Sequence, residues 1–460
     1  MNTTTATLAQ VASSSATRTR KRFAILAMLF VVTTINYADR ATLSIAGPAL
    51  SKELGIDAVT MGFIFSAFGW SYVIAQLPGG WLLDRFGSKL VYAASICLWS
   101  VFTLLQGGIS FITANVGLAV VTLFALRFLV GAAEAPSFPA NGRIVASWFP
   151  ANERGTASAI FNSAQYFATV LFAPLMGWIT HSYGWPAVFV VMGLLGIALS
   201  VVWMKTVYTP RTHPGINKAE LDYIAAGGAL VNMDQSGTQS RSFAPESPKL
   251  GYIKQLLSNR MLMGVYVGQY CITTLTYFFL TWFPVYLVKE RGMSILSAGF
   301  VAALPAICGF AGGVLGGVIS DGLLRKGKSL TLARKTPIVI GMLLSTSMIL
   351  CNYVDSSTVV VAIMSLAFFG KGLGALGWAV VSDTSPKEIS GLSGALFNTF
   401  GNTAGITTPI VIGYLISGTG SFNAALVFVA ANALVAVCCY LFVVGDIKRF
   451  ELRKEASQAS

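Results

Sequence analysis

Five charged side chains interrupt long apolar stretches of this 460-residue sequence, and their types suit proton and anion chemistry. An ionisable group at membrane depth costs several kcal/mol unless it faces a partner or water, so each is a functional candidate. Carboxylates can exchange protons, and a guanidinium group can hold an organic acid through two parallel hydrogen bonds. The five are the adjacent Asp39 and Arg40, then Arg127, Glu134 and Lys371.

The composition places these charges in a bilayer. The chain is 55% hydrophobic and 11% charged, whereas about a quarter of the residues are charged in soluble globular proteins. Its mean hydropathy is +0.69. Apolar runs punctuated by Gly, Pro and charged clusters predict twelve transmembrane helices. They lie near residues 23–47, 59–82, 89–110, 114–138, 154–180, 186–206, 259–286, 294–320, 334–354, 357–382, 389–416 and 422–445.

The predicted fold is therefore an all-α membrane protein with two six-helix bundles related by pseudo-symmetry. In the polar stretch between the bundles, Asn217 followed by Glu220 predicts a capping box that opens a short surface helix. The predicted organisation is a cytoplasmic tail of residues 1–22, an N-terminal bundle of 23–206, a cytoplasmic linker of 207–258, a C-terminal bundle of 259–445 and a cytoplasmic tail of 446–460.

Basic residues set the predicted orientation. If the amino terminus is cytoplasmic, most Lys and Arg, such as Arg18 and Arg85, lie inside, and only Lys52, Lys289 and Arg291 face outside. Both termini are therefore predicted to be cytoplasmic. A cleaved signal peptide is disfavoured because no small-residue cleavage site closes the first apolar run.

A weak internal repeat relates the two halves. The stretch Gly80-Trp81-Leu82-Leu83-Asp84-Arg85-Phe86-Gly87-Ser88-Lys89 follows the second predicted helix, and Gly317 and Asp321 recur after the eighth. Gly and Asp at i and i+4 share a helix face, so the glycine permits close packing while the Asp can meet a helix N-terminus or an arginine. We interpret Gly80, Asp84, Arg85, Gly87, Lys89 and Asp321 as gating residues.

Helix geometry suggests how the buried charges are arranged. Asp39 and Arg127 are both predicted near the midplane, where they can pair. Glu134 lies on the same stripe as Arg127, about 10 Å nearer the cytoplasm, within reach of Arg40. Protonation of Asp39 and Glu134 would free the two arginines for a substrate anion, with Arg40 contacting its carboxylate. The alternative is a static salt-bridge lattice that holds the first and fourth helices together.

The stretch Gly80 to Lys89 resembles the loop signature of the major facilitator superfamily, and the two-bundle plan is similar to that fold over nearly the whole chain. Four segments resemble its anion:cation symporter family, and Arg154-Gly155-Thr156-Ala157-Ser158-Ala159-Ile160-Phe161-Asn162-Ser163-Ala164-Gln165-Tyr166 resembles the glucarate/galactarate permeases. The four segments are Asn36-Tyr37-Ala38-Asp39-Arg40-Ala41, Phe65-Ser66-Ala67-Phe68-Gly69-Trp70, Gln76-Leu77-Pro78-Gly79-Gly80-Trp81 and Glu134-Ala135-Pro136-Ser137-Phe138-Pro139.

The resemblance implies inward symport of a sugar-derived dicarboxylate with protons, by alternating access, across a bacterial inner membrane. It implies a monomeric carrier of a small organic anion that uses the proton gradient and no cofactor. It also implies proton coupling by Asp39, Glu134 and Arg127. The substrate-binding positions that it implies are Arg40, Tyr37, Tyr72, Gln165, Gln269, Trp378 and Asn398.

Lys371 adds an argument from charge. A hexarate has two carboxylates and a hexonate has one, so we predict that Lys371 binds the second carboxylate; a lysine that snorkels at the inner gate is the alternative. The segment before Trp378, Gly374-Ala375-Leu376-Gly377, lacks the hydroxyl residues of galactonate-type members. For each isolated Asn, Gln or Tyr, the alternative is an interhelical hydrogen bond that holds the bundle together.

Other functions remain as alternatives. The nearest is a symporter of a monocarboxylate sugar acid, such as galactonate or galacturonate, and sodium coupling also stays open. An intramembrane enzyme is disfavoured because the predicted spans contain no His, nucleophile motif or metal-ligand cluster. The net charge of +13 is scattered among short loops, which does not favour nucleic-acid binding. A transport-like nutrient sensor would need an output domain for which the short tails leave no room.

Overall fold

The computed structural model of the protein describes residues 18–112, 115–150, 153–233, 250–386 and 389–452, which form helices and turns but no strand. Within this part of the chain there are twelve long helical spans, as predicted. Six precede the linker: Lys21–Leu54, Ala58–Phe86, Ser88–Gly107, Val116–Trp148, Arg154–Tyr183 and Trp185–Thr206. Six follow it: Arg260–Lys289, Ile295–Arg325, Leu330–Tyr353, Ser357–Thr384, Ser390–Thr419 and Asn423–Val443.

Length and composition suit these helices to a membrane. Among the described residues, eleven stretches are long and apolar enough to cross a bilayer. The remaining span, Ser390–Thr419, has 30 residues and no acidic or basic side chain, but it is rich in Gly, Thr and Asn. A polar but uncharged helix is typical of a span that faces other helices and an internal cavity rather than lipid.

Side-chain caps define where many spans begin. A helix leaves its first N–H groups unpaired, and an Asp, Asn or Ser at the N-cap accepts a hydrogen bond from one of them. This occurs at Asp57, Asn115, Asn259, Ser294 and Ser329, each of which accepts from the backbone N–H three residues later. These caps are local sequence signals, and the predicted starts of the corresponding spans agree within a few residues.

The fourth span is not the single helix that was predicted for residues 114–138. One helix ends at Glu134 and a second runs over Ser137–Trp148, with Pro136 at the break. Proline removes a backbone donor and blocks the preceding turn, which explains the interruption. The predicted end at 138 was wrong because the second helix carries polar residues that hydropathy alone does not assign to a span. Glu134 therefore lies at a helix end near the centre of the first half.

Both ends of the described chain lie at one face of the bundle, here called the terminal face. The linker backbone is fixed there: Trp148 donates from Nε1 to the carbonyl of Tyr208 at 3.1 Å, and Leu230 donates to the carbonyl of Ala146 at 2.9 Å. At the other end of the chain, Phe450 donates to the carbonyl of Thr384 at 2.9 Å. The structure thus has an even number of spans, with the linker on the same face as the termini.

The linker contains the predicted short helix, Lys218–Ala226, and Asn217 caps it by accepting from the N–H of Glu220 at 2.9 Å. The other half of the predicted capping box is wrong. The buried Glu220 carboxylate accepts instead from the Thr19 hydroxyl at 2.6 Å and from the backbone N–H groups of Lys21 and Arg22 at 3.0 and 3.2 Å. A carboxylate at a helix N-terminus satisfies its unpaired N–H groups and its positive dipole end. The linker therefore caps the first span.

The two halves touch each other away from the terminal face. A Cβ at Gly47 of the first span would lie 3.7 Å from Val285, and one at Gly177 of the fifth span would lie 3.1 Å from the carbonyl of Ile295. The rings of Phe65 and Trp282 also meet there, at 5.3 Å between centroids. These contacts close the face opposite the termini.

Towards the terminal face the halves separate. Among the described residues, a Cβ at Gly80, Gly155, Gly317 or Gly322 would have no neighbouring heavy atom within 4 Å. The prediction that Gly80 packs closely on another helix is therefore wrong for this conformation. If the termini are cytoplasmic, this arrangement is inward-open.

Candidate functional site

The first half buries an ion pair inside a cage of aromatic rings. Arg40 donates from Nε to Glu134 Oε2 at 2.8 Å, and both side chains are buried. The Cζ atom of Arg40 lies 4.9, 4.7 and 5.0 Å from the ring centroids of Tyr37, Phe68 and Tyr72. The negative faces of these rings attract the guanidinium and hold it in place. Arg40 Nη2 is buried without a hydrogen-bond partner in the described chain, so the guanidinium retains a donor for another anion.

The predicted ion pair between Asp39 and Arg127 is wrong. Asp39 accepts a hydrogen bond from the Thr103 hydroxyl at 2.9 Å, and Arg127 donates from Nη2 to the backbone carbonyl of Arg40 at 2.7 Å. Successive side chains on a helix point about 100° apart, so Asp39 faces the third span while Arg40 faces the fourth. Both charged groups remain buried beside the Arg40–Glu134 pair without bonding to each other. Thr103 is a site residue that the sequence analysis missed.

The second half contributes a buried cation, Lys371. Lys371 is 5% exposed, and its Nζ lies 5.6 Å from the Tyr166 ring centroid and 5.2 Å from that of Phe368. In the described part of the chain, no carboxylate forms a salt bridge with it. A buried charge is costly unless paired. Lys371 therefore lacks the partner that a purely structural lysine would need.

One cavity is lined by residues that pack against each of the two cations, Arg40 and Lys371. It has a volume of about 60 Å³ and lies between the halves. Tyr37, which packs against Arg40, lines it together with Gln165 of the fifth span. Tyr166 and Phe368, which pack against Lys371, line it as well. Aromatic neighbours of both cations thus line the same space between the halves.

Tyr166 was missed as a site residue by the sequence analysis. Its ring meets Phe310 of the eighth span and Phe368 of the tenth, at 6.1 and 6.2 Å between centroids. It therefore crosses from the first half to the second beside Lys371. The available signal was its place directly after Gln165, at the end of the segment that resembles hexarate permeases.

The other predicted binding residues of the second half form two groups. Asn398 accepts from Asn402 Nδ2 at 3.0 Å, and Asn402 accepts in turn from the Tyr277 hydroxyl at 3.4 Å. Gln269 donates from Nε2 to the Thr273 hydroxyl at 3.1 Å. These amides have both donors and acceptors, as recognition of a polyhydroxylated molecule requires.

Trp378 lies at the edge of this region and is 57% exposed. Its ring packs edge-on against Phe397 at 5.0 Å. The same Phe397 ring lies beside the Gln269 side chain across Gly377. Trp378 thus stands between the amide groups and the open terminal face.

The predicted gating residues tie helices together within each half. Asp84 forms a salt bridge with Arg143 of the fourth span, and the Arg85 guanidinium lies 5.3 Å from the Trp81 ring centroid. Lys89 Nζ lies 3.5 Å from the Tyr208 ring centroid in the linker. Gly87 has φ of 78°, a conformation that favours glycine, and it separates the second span from the third.

The second half has a related arrangement. Asp321 lies 3.7 Å from Arg334 Nη1, and Arg334 Nε donates to Asp383 at 2.8 Å. This joins the ends of the eighth, ninth and tenth spans, as Asp84 and Arg143 join the second and fourth. Neither set crosses between the halves in the described residues, which agrees with their separation at this face.

This arrangement of helices is similar to that of a solved membrane transporter. The bacterial homologue of the human lysosomal transporter Spinster, in an inward-facing and unoccupied conformation, has a TM-score of 0.68 at 16% identity, covering 93% of this chain and 96% of that one. Residues 29–333 match the Major Facilitator Superfamily. The chain belongs to this superfamily. It is therefore a multi-pass membrane transport protein, and the predicted major facilitator fold is confirmed.

Within the superfamily, two relatives are similar over nearly their whole length. The probable galactarate/D-glucarate transporter GudP of Bacillus subtilis (strain 168) is 69% identical over 438 residues, 95% of each chain. The protein of the same name from Escherichia coli (strain K12) is 64% identical over 451 residues, 98% of this chain and 99% of that one. The predicted resemblance to hexarate permeases is thereby confirmed.

Proposed function

We propose that this protein carries a sugar-derived dicarboxylate, galactarate or D-glucarate, inward across a bacterial inner membrane together with protons. The observation that carries the proposal is that Arg40 of the first half and Lys371 of the second, both buried, each pack against aromatic residues that line one cavity between the halves. A linear diacid has its two negative charges at opposite ends, so each half can supply a cation to one of them. The names of the relatives support the same class of substrate.

Proton coupling follows from competition for one guanidinium. While Glu134 is ionised, it holds Arg40, as in the ion pair described above. A protonated Glu134 is neutral and no longer competes, so Arg40 can form charge-assisted hydrogen bonds with the substrate carboxylate. Asp39 and Arg127, buried beside this pair, add one negative and one positive charge to the same site. The substrate is thus bound well only when the carrier is protonated.

Alternating access then moves the substrate. The closed face opposite the termini blocks the cavity on one side, and the separated terminal face leaves the other side open. Rocking of one bundle against the other around a fixed central site is the usual motion of carriers with repeated halves. In this scheme the described conformation is the one that releases substrate.

The proposal is tested by uptake of radiolabelled galactarate, D-glucarate, D-galactonate and D-galacturonate into proteoliposomes. We expect the two diacids to accumulate under an inwardly directed proton gradient, and a protonophore to abolish the accumulation. An equal sodium gradient should have no effect. Preferential accumulation of a monoacid would favour the alternative symporter, and accumulation driven by sodium alone would overturn proton coupling.

Lys371 is expected to set the preference for diacids. Lys371→Asn removes the cation that meets the distal carboxylate, and loss of one charged partner costs 1.5 to 3 kcal/mol or more, so affinity for galactarate should fall by about 10- to 100-fold. Affinity for a monoacid such as galactonate should change much less. Competition against labelled galactarate, with unlabelled galactarate and galactonate, measures both effects.

The matched control is Lys205→Asn, at the exposed end of the sixth span, which should leave both affinities unchanged. If Lys371→Asn weakens monoacid and diacid binding equally, Lys371 does not recognise the second carboxylate. The snorkelling role would then be the better explanation.

A further inference from the structure

Two neighbouring helices of the first half present facing stripes of buried polar side chains. Their spacing of three and four residues places each stripe on one face of its helix. The stripes meet at one end, where Arg40 contacts Glu134 at 2.8 Å, and at the other, where Asn141 donates to the Thr33 hydroxyl at 3.1 Å. We call the buried polar side chains between Glu134 and the terminal face the polar ladder. It comprises Asn36 and Thr33 of the first span, Ser137 and Asn141 of the fourth, and Tyr92 of the third.

The polar ladder is almost completely enclosed, since each of its five side chains is at most 1% exposed. Nevertheless, several of its polar atoms have no hydrogen-bond partner in the described chain. They are both amide atoms of Asn36, Ser137 Oγ, Asn141 Oδ1 and the Tyr92 hydroxyl, together with Glu134 Oε1. Buried polar groups are normally satisfied, and internal water is what satisfies them when protein does not.

The polar ladder leads from the proton-binding carboxylate towards the terminal face. Asn36 lies beside Glu134, and the Tyr92 hydroxyl lies beside Asn141 and Thr33. Asn141 lies seven residues after Glu134, in the second helix of the fourth span. Tyr92 lies one helical turn from Ser88, where the third span begins at the terminal face. The polar ladder therefore extends from the central site to within about one helical turn of the start of the third span.

We propose that the polar ladder, with internal water, is the route by which Glu134 releases its proton to the terminal face. The inference rests on the proposed function, and it gives the proton a path inside the first half, separate from the substrate path between the halves. The charged groups that face Glu134 are Arg40, Arg127 and Asp39. None of them lies on the polar ladder.

The transfer is balanced at every step. The O–H bond of the Glu134 carboxyl breaks, and a neighbouring water or hydroxyl oxygen accepts the proton on a lone pair and releases one of its own. The hydroxyls of Ser137, Thr33 and Tyr92 can each do this, because a hydroxyl both donates and accepts. The Asn36 and Asn141 amides do not pass the proton; they hold the water that does. The proton ends in bulk water, and Glu134 is left as the carboxylate that pairs with Arg40.

A separate path has a physical advantage for coupling. When Glu134 loses its proton through the polar ladder, its carboxylate pairs with Arg40 again and displaces the substrate carboxylate into the open cavity. If the proton had to leave through the cavity, it would compete with the departing anion for the same space. The route through the first half allows the two to leave in either order.

The test separates proton release from substrate movement. Net uptake driven by a proton gradient requires release at every cycle, whereas substrate counterflow at equal pH can proceed with the proton still bound. Thr33→Val, Asn141→Leu and Tyr92→Phe should slow net galactarate uptake by about tenfold or more. Counterflow should remain at the wild-type rate. Thr33→Ser retains the hydroxyl and should restore net uptake.

The matched control is Ser51→Ala, which removes a buried hydroxyl of the same half that donates to the carbonyl of Pro48 at 3.3 Å, near the end of the first span opposite the termini. It should affect neither assay. Equal loss of net uptake and counterflow in the ladder variants would indicate a structural seam and overturn the inference, as would wild-type net uptake in all three. If the wild-type protein itself does not respond to the proton gradient, the proposed function fails and the proton path fails with it.

Discussion

Arg40→Lys is expected to reduce galactarate uptake by about 100-fold or more, because losing the hydrogen bonds of a buried charged group costs about 2 to 5 kcal/mol. Lysine keeps the positive charge but loses the planar fork that binds a carboxylate through two hydrogen bonds. It also loses stacking on the rings of Tyr37, Phe68 and Tyr72. Initial rates of uptake into proteoliposomes and binding of galactarate by calorimetry measure the loss.

The matched control is Arg260→Lys. Arg260 also uses its guanidinium, donating from Nη2 to the carbonyl of Phe442 at 2.7 Å, but it lies at the exposed terminal face. This control should transport at the wild-type rate. If Arg40→Lys binds and transports galactarate normally, Arg40 does not hold the substrate carboxylate, and its pairing with Glu134 is only structural.

Glu134→Gln is expected to abolish accumulation of galactarate against a gradient, with a decrease of at least about 100-fold in proton-driven uptake. Glutamine is nearly isosteric with a protonated glutamate, and it cannot release a proton. Arg40 should therefore stay available to the substrate at any pH. Counterflow should persist, and its rate should no longer change between about pH 5 and pH 8.

Glu53→Gln is the control for this variant. Glu53 accepts from Trp185 Nε1 at 2.7 Å near the end of the first span opposite the termini, far from the central site. Its replacement should leave proton-driven accumulation intact. Retention of accumulation by Glu134→Gln would remove Glu134 from the coupling role, and loss of counterflow as well would indicate a damaged fold.

The helices were predicted well because their signals are local. A run of apolar residues long enough to cross a bilayer must be helical there, since every backbone polar group has to be satisfied within its own segment. Caps such as Asp57 and Ser294 add signals that act over three residues. The break after Glu134 was not predicted, although Pro136 marked it, because proline is tolerated within many membrane helices.

Contacts between helices were predicted less well. The pairing of Arg40 with Glu134 followed from depth and reach. The pairing of Asp39 with Arg127 used the same reasoning and was wrong. Depth along two helices does not determine how each helix is turned about its own axis, and a rotation of one residue exchanges one neighbour for another. Asp39 is hydrogen-bonded by Thr103 and not by Arg127, because the third span packs against the face of the first span that carries Asp39.

The capping box shows a similar limit. The Asn217 cap acts within four residues and was predicted correctly. The Glu220 carboxylate instead binds groups at the start of the first span, including Thr19, which lies 201 positions away in the sequence. Tyr166 illustrates the same point in the central site. Its position beside Lys371 depends on the approach of the fifth span to the eighth and tenth, which a single sequence does not encode in any nearby pattern.

The amino-acid sequence alone specified the membrane class, the helical spans and the rare charges within them, because hydrophobic length and the cost of burying charge act residue by residue. It also carried the resemblance to the superfamily. The tertiary structure decided which charges touch, that no carboxylate among the described residues pairs with Lys371, that the halves separate at the terminal face, and that a row of buried polar side chains lies between Glu134 and that face. Those features depend on the rotation and tilt of packed helices, which the packing of many distant side chains determines together.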